Sequence, residues 1–122
     1  MRVRLIARLG ALVLSAGFLL TIVPTASAGE QSIVIETQTF APQRTMIHVG
    51  DRVTWTNRDD TEHFLTSSGP MTRGVARTVE DLEFHRHMAP GSHYAHDFSA
   101  PGVYEYFCAI HMGMWGTIVV EP

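Results

Sequence analysis

The sequence contains few cysteines and few basic residues. Cys108 is its single cysteine, so an intramolecular disulfide cannot form, and the thiol is an intermolecular bridge, a bystander or a functional ligand. Only nine residues are basic, and three of these, Arg2, Arg4 and Arg8, lie at the N-terminus. Because phosphate binding needs clustered positive charge, we exclude nucleic acid as a partner.

The N-terminus is predicted to be a helical secretory signal peptide, residues 1–28, that is cleaved from the mature protein. A basic start is followed by an apolar run at 9–23 and by the small-x-small pattern Ala26-Ser27-Ala28, which signal peptidases cleave. The alternative is a retained membrane anchor, but the run is shorter than the ~20 residues that a spanning helix needs. No two arginines are adjacent, which favours general secretory (Sec-type) export over the twin-arginine route. We therefore expect a periplasmic or secreted protein without stable membrane insertion after cleavage.

Residues 29–122 are predicted to form one domain. Cleavage after Ala28 leaves 94 residues with six arginines and all twelve acidic residues, a net charge of −6 with histidine neutral. An acidic surface favours a basic protein partner through electrostatic steering. The length suffices for one modest hydrophobic core.

Short alternating segments separated by turns predict an all-β sandwich or barrel. Tyr94, His96 and Phe98 share one face of a predicted strand, because side chains alternate with period two. Tyr104, Tyr106 and Cys108 share a face of another in the same way. Further extended segments are predicted at 33–36, 45–49, 53–56, 63–66 and 117–120, and a single helical turn at 78–82.

The segment 108–114 combines donor groups that are typical of a metal site. Cys108 supplies a thiol, His111 an imidazole and the methionines a thioether, in a loop between two predicted strands. A trigonal His₂Cys set with a weak methionine bond is the blue-copper arrangement for electron transfer. His63, which follows the Trp55 strand across a polar turn, is placed to be the second histidine. Each residue alone has another interpretation, as core methionine, surface histidine or buried cysteine.

The chain resembles the amicyanin/plastocyanin branch of the cupredoxins from about 33 to 120. The first half of the resemblance rests on Phe40-x-Pro42, Val49-Gly50-Asp51-x-Val53-x-Trp55-x-Asn57 and His63. The second half rests on Pro90-Gly91, Phe98 and Pro101-Gly102-x-Tyr104-x-Tyr106-x-Cys108-x-x-His111-x-x-Met114-x-Gly116. The short Cys-x-x-His-x-x-Met loop is closer to amicyanins than to plastocyanins.

The resemblance implies an eight-stranded Greek-key sandwich that holds one type 1 copper ion at one end. The ligands it implies are His63, Cys108, His111 and Met114, because the family has Met-x-Gly before its last strand. It also implies a mobile one-electron carrier whose redox protein partners dock transiently near His111 and Met112. We expect a monomer.

Two other functions come under consideration. A copper storage or chaperone protein could use the same fold. An enzyme such as a copper reductase would need a second copper centre and further domains, for which 94 residues leave no room. Since no Ser-His-Asp order, phosphate loop or paired-carboxylate motif is present, we predict that the protein is not an enzyme.

The sequence departs from the family around the expected ligands. Phe64 and Ala109 stand where many relatives have Asn and Ser or Thr, so the side-chain hydrogen bond between those two loops cannot form. Ile110 stands where close relatives have proline. Its amide could donate to the sulfur of Cys108, which a proline cannot do.

The remaining histidines are unusually close together in the sequence. His85 and His87 are two positions apart, so on a strand their side chains would share a face and could form an accessory metal site with Met88 or His93 nearby. The alternative is that they are surface histidines that bind nothing. His96 is predicted to be a buried, hydrogen-bonded core histidine.

Overall fold

The computed structural model of the protein describes residues 27–70 and 82–122. The predicted signal peptide, and the helix expected in it, lie outside these residues except for Ser27 and Ala28. The predicted helical turn at 78–82 lies outside them except for Leu82. No helix within the described ranges is long and apolar enough to cross a membrane.

Nine strands are formed by the described residues. They are β1 (Glu30–Glu36), β2 (Thr39–Ala41), β3 (Arg44–His48), β4 (Arg52–Asn57), β5 (His63–Pro70), β6 (Phe84–Met88), β7 (His93–Asp97), β8 (Gly102–Cys108) and β9 (Trp115–Glu121). One sheet has the order β2-β1-β4-β7 and the other β3-β9-β8-β5-β6. The pairs β1–β4 and β3–β9 are parallel, and the remaining neighbours are antiparallel. The predicted all-β sandwich is therefore confirmed.

An aromatic cluster around Trp55 fills the space between the sheets. Alternation along β4 turns Trp55 inward and leaves it fully buried. Tyr106 of β8 packs edge-on against it at 5.5 Å between ring centroids, and Tyr94 of β7 stacks on it at 5.9 Å. Each such pair adds about 0.5–1.5 kcal/mol beyond the buried area. The cluster joins the two sheets below the end where β5 begins and β8 ends.

Gly116 is required by the packing of Tyr106. The two residues are paired across β8 and β9, and a Cβ atom at position 116 would collide with the Tyr106 ring. This contact gives a physical reason for the Met-x-Gly pattern at Met114 and Gly116, since the strand must pass beneath a tyrosine immediately after the loop.

Two strands, β2 and β6, were not predicted. The nine strands of the described residues exceed the eight that the resemblance implies. Thr37 and Gln38, which join β1 to β2, have φ angles of +51° and +54°. Hairpin turns with two positive φ angles usually carry Asn or Gly, so Thr-Gln gave no turn signal. In β6 the buried Phe84 and Met88 flank a polar His-Arg-His run, which hides the alternation.

Candidate metal centre

Three side chains from two neighbouring strands and a loop converge at one end of the sandwich. His63 is the first residue of β5, Cys108 is the last of β8, and His111 lies in the loop that follows. The pairing of Leu65 with Cys108 brings the start of β5 beside the end of β8. Within the described ranges these three residues form the one group of three or more His, Cys, Asp or Glu residues whose ligand atoms all lie within 4.8 Å of one another.

The donor atoms are spaced as a shared metal ion requires. The Nδ1 atoms of His63 and His111 are 3.1 Å apart, and Cys108 Sγ lies 3.7 Å from the first and 3.4 Å from the second. Donors that bind one ion at the usual metal–nitrogen and metal–sulfur lengths of about 2.0–2.3 Å lie roughly 3–4 Å apart. His63 is fully buried and Cys108 is 5% exposed, so these two donors are shielded from water, while His111 is partly exposed. The residues therefore fit a metal ion.

Met114 lies beside this group at the end of the loop. It is 4% exposed and lines the same depression as Cys108 and His111. The Cys108 amide donates to the Met114 carbonyl at 2.9 Å, and the Met114 amide donates to the His111 carbonyl at 3.4 Å. Gly113 turns the chain with a φ of +80°, which favours glycine. These bonds explain the short Cys-x-x-His-x-x-Met spacing.

Backbone hydrogen bonds replace the missing side-chain bond between the two ligand loops. The Phe64 amide donates to Cys108 Sγ at 3.4 Å, and the Ala109 amide donates to the Phe64 carbonyl at 3.0 Å. No hydrogen bond joins the Ile110 amide to this sulfur in the part of the chain that the structure describes. The amide donor to the thiol thus comes from the adjacent strand, because the β5–β8 pairing directs the Phe64 N–H toward it. The hypothesis for Ile110 is not supported.

Asp59 holds the imidazole of His63 from the side away from the thiol. Its Oδ2 atom is 2.9 Å from His63 Nε2, and its carboxylate also accepts from the amides of Thr37 at 2.6 Å and Gln38 at 2.9 Å. Burial alone would raise the pKa of Asp59, but the hydrogen bonds from Gln38, His63 and Thr37 outweigh it and hold the pKa below its ordinary value. Asp59 therefore connects the β1–β2 turn to the metal centre, a role that the sequence analysis missed.

Asn57 stabilises the turn that carries Asp59. It is fully buried, and its Nδ2 group donates to the carbonyls of Thr61 at 2.8 Å and Met88 at 2.9 Å. Its Oδ1 atom accepts from the Asp59 amide at 3.0 Å. This network explains the asparagine in the Trp55-x-Asn57 pattern, since the turn between β4 and β5 is fixed from inside the fold.

The surface over the metal centre is apolar. Met112 is fully exposed, Ile110 is about half exposed, and His111 is partly exposed between them. Phe107 and Trp115, which pair across β8 and β9, are also about half exposed. A partner that approaches His111 would therefore meet uncharged side chains.

The other three predicted histidines lie outside this cluster. His96 is hydrogen-bonded as expected, to Tyr94 at 3.0 Å and Glu83 at 3.1 Å, although its side chain keeps 18% exposure. His85 and His87 share the outer face of β6, where His85 contacts the Thr66 hydroxyl and His87 contacts Glu62. Neither of their expected neighbours joins them, because Met88 is buried and His93 belongs to the other sheet.

Comparison with known proteins gives one consistent group of relatives. A family model for copper-binding proteins of the plastocyanin/azurin family matches residues 28–121. Amicyanin-alpha of Methylorubrum extorquens is 35% identical over 100 residues, which cover 81% of this chain and 78% of that protein. The structure of amicyanin from Paracoccus versutus has a TM-score of 0.64 at 27% identity, covering 79% of this chain and 85% of that one. A purple cupredoxin from Nitrosopumilus maritimus has a TM-score of 0.60 at 27% identity, covering 75% of this chain and 99% of that one.

Proposed function

The chain belongs to the plastocyanin/azurin family of copper-binding proteins, and on that basis we propose that it is a mobile carrier of single electrons between redox proteins. Membership in the family confirms the predicted cupredoxin-like sandwich and the predicted cofactor, one copper ion. The signal pattern in residues 1–28 supports Sec-type export, so the proposed location is periplasmic or secreted.

The proposed ligands are His63, Cys108, His111 and Met114. The observation that carries this assignment is the convergence of two imidazole nitrogens and one sulfur to within 3.1–3.7 Å of one another. When bound, copper supplies a one-electron couple, for which imidazole suits both oxidation states while thiolate and thioether favour Cu(I).

The chain contributes a rigid frame for these donors. Asp59 fixes the imidazole of His63 through Nε2, so its Nδ1 atom keeps a defined direction. The Phe64 amide fixes the sulfur of Cys108, and the backbone bonds of Met114 fix the loop between the strands. Because these bonds are made within the protein, they would hold the donors in similar positions in both oxidation states of a bound copper ion. Small rearrangement favours fast electron transfer.

The surface around His111 supports brief docking of a partner. His111 is partly exposed beside the fully exposed Met112, so its ring provides a short route from the buried donors to the surface. Weak redox encounters have small contact areas, so a small contact around His111 would release the partner quickly. We propose that a redox protein docks here on a monomer, and that the protein itself catalyses no reaction.

The spectrum and redox cycling of the copper-loaded protein test this proposal. An electron carrier is expected to give a stable Cu(II) form with an intense sulfur-to-copper charge-transfer band and narrow hyperfine splitting in its EPR spectrum. It is also expected to cycle reversibly between Cu(II) and Cu(I) at an electrode. A storage or chaperone protein would instead hold Cu(I), remain pale and exchange the metal readily, and that result would contradict the carrier role.

A further inference from the structure

Two histidines on the outer face of β6 are each held through one ring nitrogen. His85 Nδ1 lies 2.8 Å from the Thr66 hydroxyl, and His87 Nε2 lies 2.7 Å from Glu62 Oε2. Both contacts engage one nitrogen of the ring. The nitrogens that remain, Nε2 of His85 and Nδ1 of His87, have no hydrogen-bond partner in the part of the chain that the structure describes.

An imidazole with one ring nitrogen hydrogen-bonded and the other without a partner is typical of metal-binding histidines in proteins. A ligating histidine usually donates its other ring N–H to a carboxylate, carbonyl or similar acceptor, which sets the tautomer and leaves a lone pair for the metal. Glu62 can be that acceptor for His87. The hydroxyl oxygen of Thr66 can accept from His85, because a hydroxyl both donates and accepts.

The two imidazoles are also held on the same side of the sheet. Both side chains point outward from β6, because they lie two positions apart on the strand. The ring of Phe64 on β5 packs against both, with ring centroids 5.6 Å from His85 and 4.9 Å from His87. Adjacent positions on one face of a strand are roughly 6.6 Å apart along the chain, a distance that two imidazole side chains can span to reach a common ion.

We propose that His85 and His87 form a second metal site, separate from the Cys108 centre, that takes Cu(II). Imidazole suits divalent copper, and copper is the divalent first-row metal that such nitrogen sites bind most strongly. Glu62 positions His87 and is not required as a ligand.

The second site is weaker than the first and exchanges its metal. It offers two imidazoles and no thiolate, and it is not among the groups of three ligand atoms within 4.8 Å of one another in the described ranges. The side chains of His87 and Glu62 are 49% and 59% exposed, so water competes for the ion. Occupation therefore depends on the free copper concentration.

Titration of Cu(II) into protein that already carries copper at the Cys108 centre tests the site. Calorimetry is expected to show one further, weaker binding event. EPR is expected to show a second signal with wide hyperfine splitting, because no thiolate takes part. In His85→Ala/His87→Ala the added event should be lost, while the charge-transfer band of the first site, which also reports folding, stays unchanged.

Matched variants make the test specific. His93→Ala removes an exposed histidine from the other sheet and should leave the second event intact. Glu62→Gln should weaken it by about tenfold or more, the usual effect of removing a partner of a ligating histidine. If the double variant does not fold, the single changes His85→Gln and His87→Gln should each weaken binding at least tenfold. Absence of a second event, or an event that survives the double variant or is lost in His93→Ala, overturns the proposal.

Discussion

His63 and His96 have similar surroundings at the ring atom Nε2 and different surroundings at Nδ1. Each places Nε2 against a carboxylate, His63 at 2.9 Å from Asp59 and His96 at 3.1 Å from Glu83. On the other side of the ring, Nδ1 of His96 meets the hydroxyl of Tyr94, whereas Nδ1 of His63 faces the Nδ1 of His111 and the sulfur of Cys108.

The comparison shows that the second ring nitrogen decides what a histidine does. A hydroxyl can match either tautomer, so the hydrogen-bonding capacity of His96 is satisfied within the protein. Around His63, an imidazole nitrogen and a thiol point at the same small volume, and an ion is the partner that satisfies all three donors together. The carboxylates are alike, so they orient the rings in both regions and define a metal site in neither.

Loss of the thiol should have the largest effect. Cys108→Ser replaces the soft donor by a hydroxyl, so we expect the intense sulfur-to-copper band to disappear from the visible spectrum. The serine side chain is of similar size, so the fold should persist. His96→Gln is the control at the other histidine and should keep the band. If Cys108→Ser retained a band of that intensity, the sulfur of Cys108 would not be the ligand.

The second largest effect is expected from removing a carboxylate charge, which should lower copper affinity beside His63 and not beside His96. Asp59→Asn weakens the bond that orients His63 and the contacts to the Thr37 and Gln38 amides, so we expect copper affinity to fall about 10–100-fold. Glu83→Gln makes the equivalent change beside His96 and should leave copper affinity unchanged. Competition with a chelator measures both. Equal losses in the two variants would mean that the effect comes from general destabilisation.

The axial donor should tune the centre without being needed for it. Met114→Leu keeps a side chain of similar volume and removes the thioether, so the visible band should remain. We expect the reduction potential to rise by ~60 mV or more, which corresponds to a tenfold change in the relative affinity for the two oxidation states. Voltammetry measures the shift, and Met112→Leu is the control on the exposed neighbour. A colourless Met114→Leu protein would show that Met114 does more than tune.

The sequence predicted the donors better than it predicted their supports. Cys108 and His111 could be found because they lie in one short loop between strands whose alternation is clear. His63 followed from the turn after Trp55. Asp59 lies in the polar turn after Trp55 and could not be assigned a role, since its contacts with Thr37 and Gln38 cross 22 and 21 positions and depend on an unpredicted hairpin. Local patterns identify ligand types, whereas long-range hydrogen bonds appear only in the folded chain.

The smallest effect is expected from removing the Tyr94 hydroxyl, which bonds to Nδ1 of His96. Tyr94→Phe removes the bond to His96 Nδ1 and keeps the ring that stacks on Trp55. Because His96 and Tyr94 are both partly exposed, water can replace part of the lost bond, and the free energy of unfolding should fall by about 0.5–1.5 kcal/mol. Denaturant unfolding of the copper-free protein measures this without the stabilisation that bound metal adds. The freed nitrogen has no thiol beside it, so the copper stoichiometry, the visible band and the potential should match those of the unmodified protein. A shifted band or potential would show that the two histidine regions are coupled through the aromatic core and do not act independently.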